Sequence, residues 1–378
     1  MGVMYRKKAA VAASLVAALA LTVSACGSSD DDSSGDSGSS SGSSAVVKES
    51  EANLKTLTAN PKWVGPTKAV KPAPNKTIGI IPCTLAAAGC TRVHDGAVAA
   101  AEALGYETVV LDGKGDPQQY LSNVEDLIQQ DVDAILNVVI PDSTIPSGLQ
   151  AAEKAGTPVI CTVCGNPPKP DVPVTSDVEV DADYAAQGVA AADFIIANGG
   201  GKVVTMNDNI FRPNQVRWEE LTKRLNESDN VEIVDDVAIT ASGDINANHQ
   251  KVTMGVLQRF PEGELDWITT PADSEGIGQV QAIQATGREE VQTVGYDCDE
   301  QNLGFIRDGA GEAACVATPL EWLGWAGMDQ VVRILAGEEF VEEPVGIRVI
   351  TADNVPAEGE PAIDVDFESE YKKLWGVN

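Results

Sequence analysis

From residue 77 the chain settles into a rhythm of short unbroken apolar runs and longer stretches with apolar residues at helical spacing. "TIGIIP" (77–82), "ETVVLD" (107–112), "DAILNVVI" (133–140) and "PVICT" (158–162) read as strands. Between them, residues 91–104 place Val93, Ala97, Ala100, Ala101 and Leu104 on one face before the stop at Gly105. Residues 117–130 begin at Pro117 and bury Tyr120, Leu121, Val124, Leu127 and Ile128, and residues 143–156 form a third helix. Apolar runs with no polar alternation suit strands covered on both faces, so the pattern predicts a parallel sheet flanked by helices.

The rhythm pauses at "PPKPDVPVTSDVEVD" (167–181) and then resumes. Helices at 183–197, 213–227, 246–259, 274–286 and 299–307 alternate with strands at 202–207, 231–239, 265–270, 291–297 and 312–318. A helix at 321–335 and a late strand at 346–350 finish the pattern. The same βα order thus occurs twice. The predicted fold class is α/β, with two doubly wound parallel-sheet lobes joined by a hinge and a cleft where the strand ends face each other. The expected division is 75–177 plus about 319–348 for the first lobe and 178–318 plus about 349–378 for the second.

What precedes the rhythm is of another kind. Arg6, Lys7 and Lys8 lead into a short apolar run of Ala, Val and Leu, which ends at "VSAC" (23–26). This is the pattern of a secretory signal, too short to cross a bilayer comfortably. Small residues before Cys26 resemble the bacterial lipobox, which implies cleavage after residue 25 and a lipid on Cys26. The Ser, Gly and Asp after it read as a flexible tether. Asp30, Asp31 and Asp32 do not make a calcium loop, because Ser41 stands where the motif needs Glu. A short helix is expected over 45–60, then a proline-rich extended lead-in to residue 74.

Charge and cysteines sharpen this. The formal net charge of −31 excludes nucleic acid and an anionic membrane surface as partners. Six cysteines follow Cys26, an even number that favours disulfides in an exported protein. Cys83 with Cys90 and Cys161 with Cys164 are each close in sequence at a strand end. Cys298 and Cys315 remain, offset by several residues if their strands are parallel neighbours. A reactive Cys-x-x-Cys opens a helix, whereas Cys161-Thr-Val-Cys164 ends a strand, so it reads as a structural or cleft-shaping bridge. His94 and His249 join no constellation, and no metal site, cofactor loop or Ser-His-Asp set is visible.

Several stretches carry a resemblance: "TIGIIP", "HDGAVAAAEALGYETVVLD" (94–112), "AAEKAGTPVI" (151–160), "VTSDVEVDADYAAQGVAAADFI" (174–195) and "TVGYDCDEQNLGFIRDG" (293–309). In this order they resemble the type I, ribose-binding-protein-like solute receptors of bacterial ABC importers. The resemblance covers residues 77 to about 350 and implies a monomeric binding protein, not an enzyme, that works with a membrane permease. Its location would be extracytoplasmic, on the outer face of the cell membrane.

The family's ligand pattern is only partly kept. The loop "PCTLAAAGC" (82–90) lacks the paired aromatics that stack on sugar rings, and "ICTVCG" (160–165) lacks the Asp-Arg fork. Arg217, Asp273 and Asp297 match family ligand positions, while Gln215 replaces an arginine. Asn214 and Gln215 add neutral donors and acceptors; Thr84 and Thr318 lie at strand ends. Trp322 and Trp325 open a helix near the hinge, either to stack on a solute or to pack between lobes. The expected solute is small and polar, sugar-like, with a less polar molecule as the alternative. A surface sensor using the same lobes without transport is the other functional reading.

Overall fold

The structure, a computed structural model, describes residues 40–167, 171–208, 211–239 and 245–377. Cys26 and the leader lie outside the described residues, as does most of the expected tether. Among the described residues no helix is long and apolar enough to cross a membrane.

After helix α1 (Ser40–Leu57), the first sheet is built from β1 (Thr77–Pro82), β2 (Glu107–Val110), β3 (Ala134–Val138), β4 (Val159–Thr162) and β5 (Val178–Val180). All its pairs are parallel, in the order β2-β1-β3-β4-β5. Helices α2 (Ala88–Leu104), α3 (Pro117–Gln129) and α4 (Pro146–Ala155) connect its strands. The chain then crosses to the second lobe through α5 (Tyr184–Ala197), whose N-terminus the Asp183 carboxylate caps.

The second sheet contains β6 (Gly201–Asp208), β7 (Val231–Ile239), β8 (Trp267–Thr269), β9 (Gln292–Tyr296), β10 (Glu312–Ala317) and β11 (Arg348–Thr351), in the order β11-β10-β9-β8-β6-β7. Only β11 runs antiparallel among these pairs. Its connecting helices are α6 (Arg212–Leu225), α7 (Ile245–Arg259), α8 (Asp273–Thr286) and α9 (Glu300–Asp308). Helix α10 (Leu320–Ala336) returns to the first lobe, and α11 (Phe367–Trp375) ends the described chain there.

Two boundaries differ from the sequence reading. β5 pairs with β4, so the first sheet extends past residue 177. Helix α11 packs on α10 and α2 in the first lobe, where the sequence reading placed 349–378 in the second. The physical reason is aromatic. Trp322 and Trp325 are 0% and 2% exposed, and rings from both ends of the chain close over them. Trp63 stacks on Trp322 with centroids 5.1 Å apart, Phe367 stacks on its other side at 5.9 Å, and Trp375 stacks on Trp325 at 5.4 Å. Trp322 is therefore a core residue of the first lobe and not a solute contact.

The N-terminal segment is equally built in. Helix α1 starts five residues earlier than expected and lies on α5 of the second lobe. There Ser50 Oγ and Asn53 Nδ2 each donate to the buried Asp193 at 2.7 Å, and Arg224 Nε donates to it at 2.7 Å. The lead-in then crosses to the first lobe, where Val70 N–H donates to the Leu374 carbonyl at 3.0 Å. Residues 40–70 thus strap one lobe to the other.

Removing a large ring from a packed core costs about 3–5 kcal/mol. Trp322→Ala is expected to lower the unfolding free energy by about that amount in urea titration. A loss below about 1 kcal/mol would return Trp322 to the surface of the cleft.

Candidate functional site

Both sheets point the C-terminal ends of their strands into one cleft, as a doubly wound architecture dictates. The first lobe contributes Ala87 from the loop after β1, Gly89 and Cys90 from the start of α2, Val139 after β3, Val163 after β4, and Leu320. The second contributes Phe211, Pro213, Asn214, Arg217, Ala272, Ser274, Glu275, Asp297 and Asp299. One wall is apolar and the other is polar and acidic.

The polar wall is organised around Arg217. Its Nη2 donates to Asp297 Oδ1 at 2.7 Å and to Thr318 Oγ1 at 3.0 Å. Its Nε donates to Gln187 Oε1 at 2.8 Å and its Nη1 to Asn214 Oδ1 at 3.3 Å. The guanidinium also lies over the Tyr296 ring, 4.7 Å from the centroid. Burial works against the charge of Arg217, but Asp297 outweighs it and the net shift of its pKa is upward.

A second arginine joins the lobes. Helices α2 and α10 approach so closely that a Cβ on Gly96 would strike the Glu321 carbonyl, and one on Gly324 would strike that of Val93. This close packing sets Arg92 beside Glu321, with Nε–Oε1 at 2.8 Å and Nη2–Oε2 at 2.9 Å. The remaining Arg92 nitrogen reaches the second lobe, donating to Asp299 Oδ1 at 2.8 Å and to the Asp297 carbonyl at 3.1 Å. On the other side of the cleft, Gly165 stands against Pro213. The lobes are held in a closed arrangement.

The walls carry backbone strain. Val139 and Val163 have φ of 62° and 61°, in a left-handed region that β-branched residues avoid, and Asp297 and Cys298 have φ of 83° and 54°. One disulfide, Cys83–Cys90, closes the loop after β1, and two more close the strained loops, Cys161–Cys164 around Val163 and Cys298–Cys315. The last pair was expected to be offset. β9 and β10 are indeed parallel neighbours, with Cys315 opposite Gly295. The two consecutive left-handed residues turn the chain back after Tyr296, bringing the Cα atoms of Cys298 and Cys315 to 5.6 Å.

Of the sequence-predicted residues, Asp297, Arg217, Asn214 and Thr318 come together in one hydrogen-bonded group. Asp273 is fully buried behind it, where its carboxylate accepts the Asp299 N–H at 2.7 Å. Gln215 meets Arg212 instead, at 3.2 Å, and is not part of the cleft wall. Thr84 accepts the Ala86 N–H at 3.2 Å, so its loop offers Ala87 and Cys90 to the cleft while the hydroxyl shapes the turn. Trp322 is in the core, as described above. The sequence reading missed Arg92, Glu275, Asp299 and Phe211. Glu275 stands in the first turn of α8 and Arg92 just past the first turn of α2, where a charged residue reads as a cap or a solvated side chain.

Buried acids cluster under the floor. Burial first, and then Glu312, Asp299 and Asp297, hold Asp273 well above the ordinary carboxylate range. Burial pushes Glu312 up to about 8.

A cleft between two doubly wound lobes, with polar groups at the strand ends of one lobe and a closing contact from the other, defines a two-lobed binding protein. The chain belongs to the periplasmic binding protein domain family, whose model matches residues 78–339. It is 25% identical over 280 residues to the ribose import binding protein RbsB of Salmonella typhimurium, covering 72% of this chain and 90% of that protein. It is 24% identical over 269 residues to the xylitol-binding protein of Mycolicibacterium smegmatis, covering 70% and 74%. Among solved structures, an ABC transporter solute binding protein from Agrobacterium vitis with bound allitol matches with a TM-score of 0.67 at 23% identity, covering 74% of this chain and 97% of that one. The type I fold expected from the sequence is thus observed, and each of these relatives is named as a binding protein.

Two outcomes follow from this geometry. Asp297→Ala removes a carboxylate and strands the buried Arg217, so it is expected to cost about 3–5 kcal/mol of stability as well as solute affinity. Urea unfolding of the variant checks this; a loss below about 1 kcal/mol would show that Arg217 does not depend on its partner. Glu312 holds its proton more tightly when folded, so its stabilising contribution is full below its ordinary value of 4.5 and fades as pH rises through about 8. Unfolding free energy measured across that window is expected to fall with rising pH, and Glu312→Gln to flatten the slope; an unchanged slope would acquit Glu312.

Proposed function

We propose that the chain is an extracytoplasmic solute receptor, held to the membrane by lipid on Cys26, that closes on a small sugar-like or polyol solute and delivers it to an ABC permease. The observation that carries this reading is the Arg217–Asp297–Asn214 group facing the first-lobe wall across a cleft that Arg92 closes. Ionised carboxylates and amides at fixed strand ends suit hydroxyl groups, which both donate and accept. Relatives whose names or bound ligands specify ribose, xylitol and allitol support a polyhydroxylated solute.

Closure would work by differential affinity. A solute touching both walls stabilises the closed form only by what it gains there over the open one. Opening breaks the contacts of Arg92 with Asp299 and the Asp297 carbonyl, and these charge-assisted bonds re-form over the captured solute. The apolar first-lobe wall replaces the paired aromatics of plain sugar receptors, which favours a solute with one less polar face. Transport, rather than sensing alone, is favoured by the import-protein relatives.

Two measurements test the reading. Mass analysis of protein extracted from membranes should find an acylated Cys26 as the first residue; a mature chain beginning elsewhere removes the anchor. Solute released from the purified protein by denaturation should contain a sugar or polyol. If none is released, and no sugar or polyol raises the unfolding temperature, the solute class is wrong.

A further inference from the structure

Among the described residues, one carboxylate lining the cleft has no cation paired with it. Asp297 is matched by Arg217 and Asp299 by Arg92. Glu275 lines the same cleft, is 2% exposed, and has no such match. Its carboxylate accepts the Ser274 hydroxyl at 2.7 Å. Among the described residues no Lys, Arg or His forms an ion pair with it.

The surrounding elements make this imbalance sharper. Arg217 on α6 is already committed to Asp297, Gln187, Asn214 and Thr318. Arg92 on α2 is taken by Glu321 and Asp299. The charged groups that act on Glu275 most strongly are Asp208 at the end of β6 and Asp297 after β9, both carboxylates, and Asp273 shares its helix. The start of α8 offers only the partial charge of a helix N-terminus. From the first lobe the cleft receives Val139, Val163, Ala87 and Leu320, none with a side chain that can donate. Without a counter-charge Glu275 is favoured in its protonated form, and only a cation gives the ionised form a partner in the cleft.

We infer that the solute carries a protonated amine seated against Glu275, on a sugar or polyol frame whose other face rests on the apolar first-lobe wall. This rests on the sugar-like reading above and narrows it to aminated members of the class. The hydroxyls of the frame meet Asn214, Asp297 and Arg217, and the ammonium supplies the cation that the cleft lacks.

A proton count separates an amine from a neutral solute. With no cation beside it, Glu275 is pushed up to about 8 by burial, with Asp208 and Asp297 adding repulsion. Burial thus favours the protonated acid in the free protein. An ammonium favours the ionised carboxylate, lowers that pKa and expels the proton to solvent. A neutral polyol gives Glu275 no reason to release it.

The experiment is calorimetry on the full chain at pH 7 with matched probes: glucose and glucosamine, galactose and galactosamine, glucitol and 1-amino-1-deoxyglucitol. Repeating each titration in buffers of different ionisation enthalpy counts released protons. In at least one pair the amine is expected to bind about ten- to a hundredfold more tightly, as a charge-assisted bond warrants. Its binding should release close to one proton to buffer at Glu275, and Glu275→Gln should abolish both the preference within the pair and the release. If Glu275→Gln does not fold, the proton count on the unaltered chain decides alone. Neutral members binding as tightly as their amines, or a preference that survives Glu275→Gln, would overturn the amine and leave the sugar-like reading standing. Failure of every probe to bind overturns the amine and, if no sugar or polyol is released from the protein on denaturation either, the sugar-like reading with it.

Discussion

The polar side of the cleft depends on one buried ion pair, Arg217 with Asp297. A guanidinium sealed from water is tolerable only if its donors are met, and here Asp297, Thr318, Gln187 and Asn214 meet them in directions fixed by the planar fork. Gln187 lies on α5, just after the chain enters the second lobe, and Thr318 lies just before it leaves. One side chain therefore ties both crossing segments to the strand end that carries Asp297. The pair contributes order more than net stability, because desolvation consumes much of the attraction of two buried charges.

Around this pair the cleft is shaped by backbone that would relax if left alone. Val139, Val163, Asp297 and Cys298 all hold left-handed conformations. Disulfides flank Val163 and begin next to Asp297, closing short loops over exactly the segments that present residues to the cleft. A wall fixed in advance loses less conformational entropy when a solute arrives. The third bridge, Cys83–Cys90, does the same for the loop that replaces the usual aromatic pair.

The architecture was legible because apolar strands buried on both faces and amphipathic helices have different periods, and both repeat cleanly from residue 77. β5 escaped because three residues inside a proline-rich pause make no period. Helix α11 escaped although Phe367, Tyr371, Leu374 and Trp375 recur at helical spacing, since no strand follows to frame it. For the site, the rule that ligands gather at strand C-termini located Asp297, and resemblance located Arg217. It could not locate Arg92 or Glu275, which owe their positions to helix packing and to lobe closure. Trp322 was misplaced for a related reason: its sequence position near the hinge gives no sign that Trp63 and Phe367, hundreds of residues apart, converge on its two faces.

The strap formed by residues 40–70 bears on where this protein begins as a folding unit. The span shared with the family ends at 339 and starts at 78. A chain trimmed to it would leave Asp193 and Arg224 facing water without Ser50 and Asn53, and would strip Trp63, Phe367, Tyr371 and Trp375 from the indoles of Trp322 and Trp325. Two tryptophan faces laid bare are a sticky surface, so such a fragment would be prone to self-association. The smallest body that keeps these contacts therefore includes both extensions, from α1 through α11.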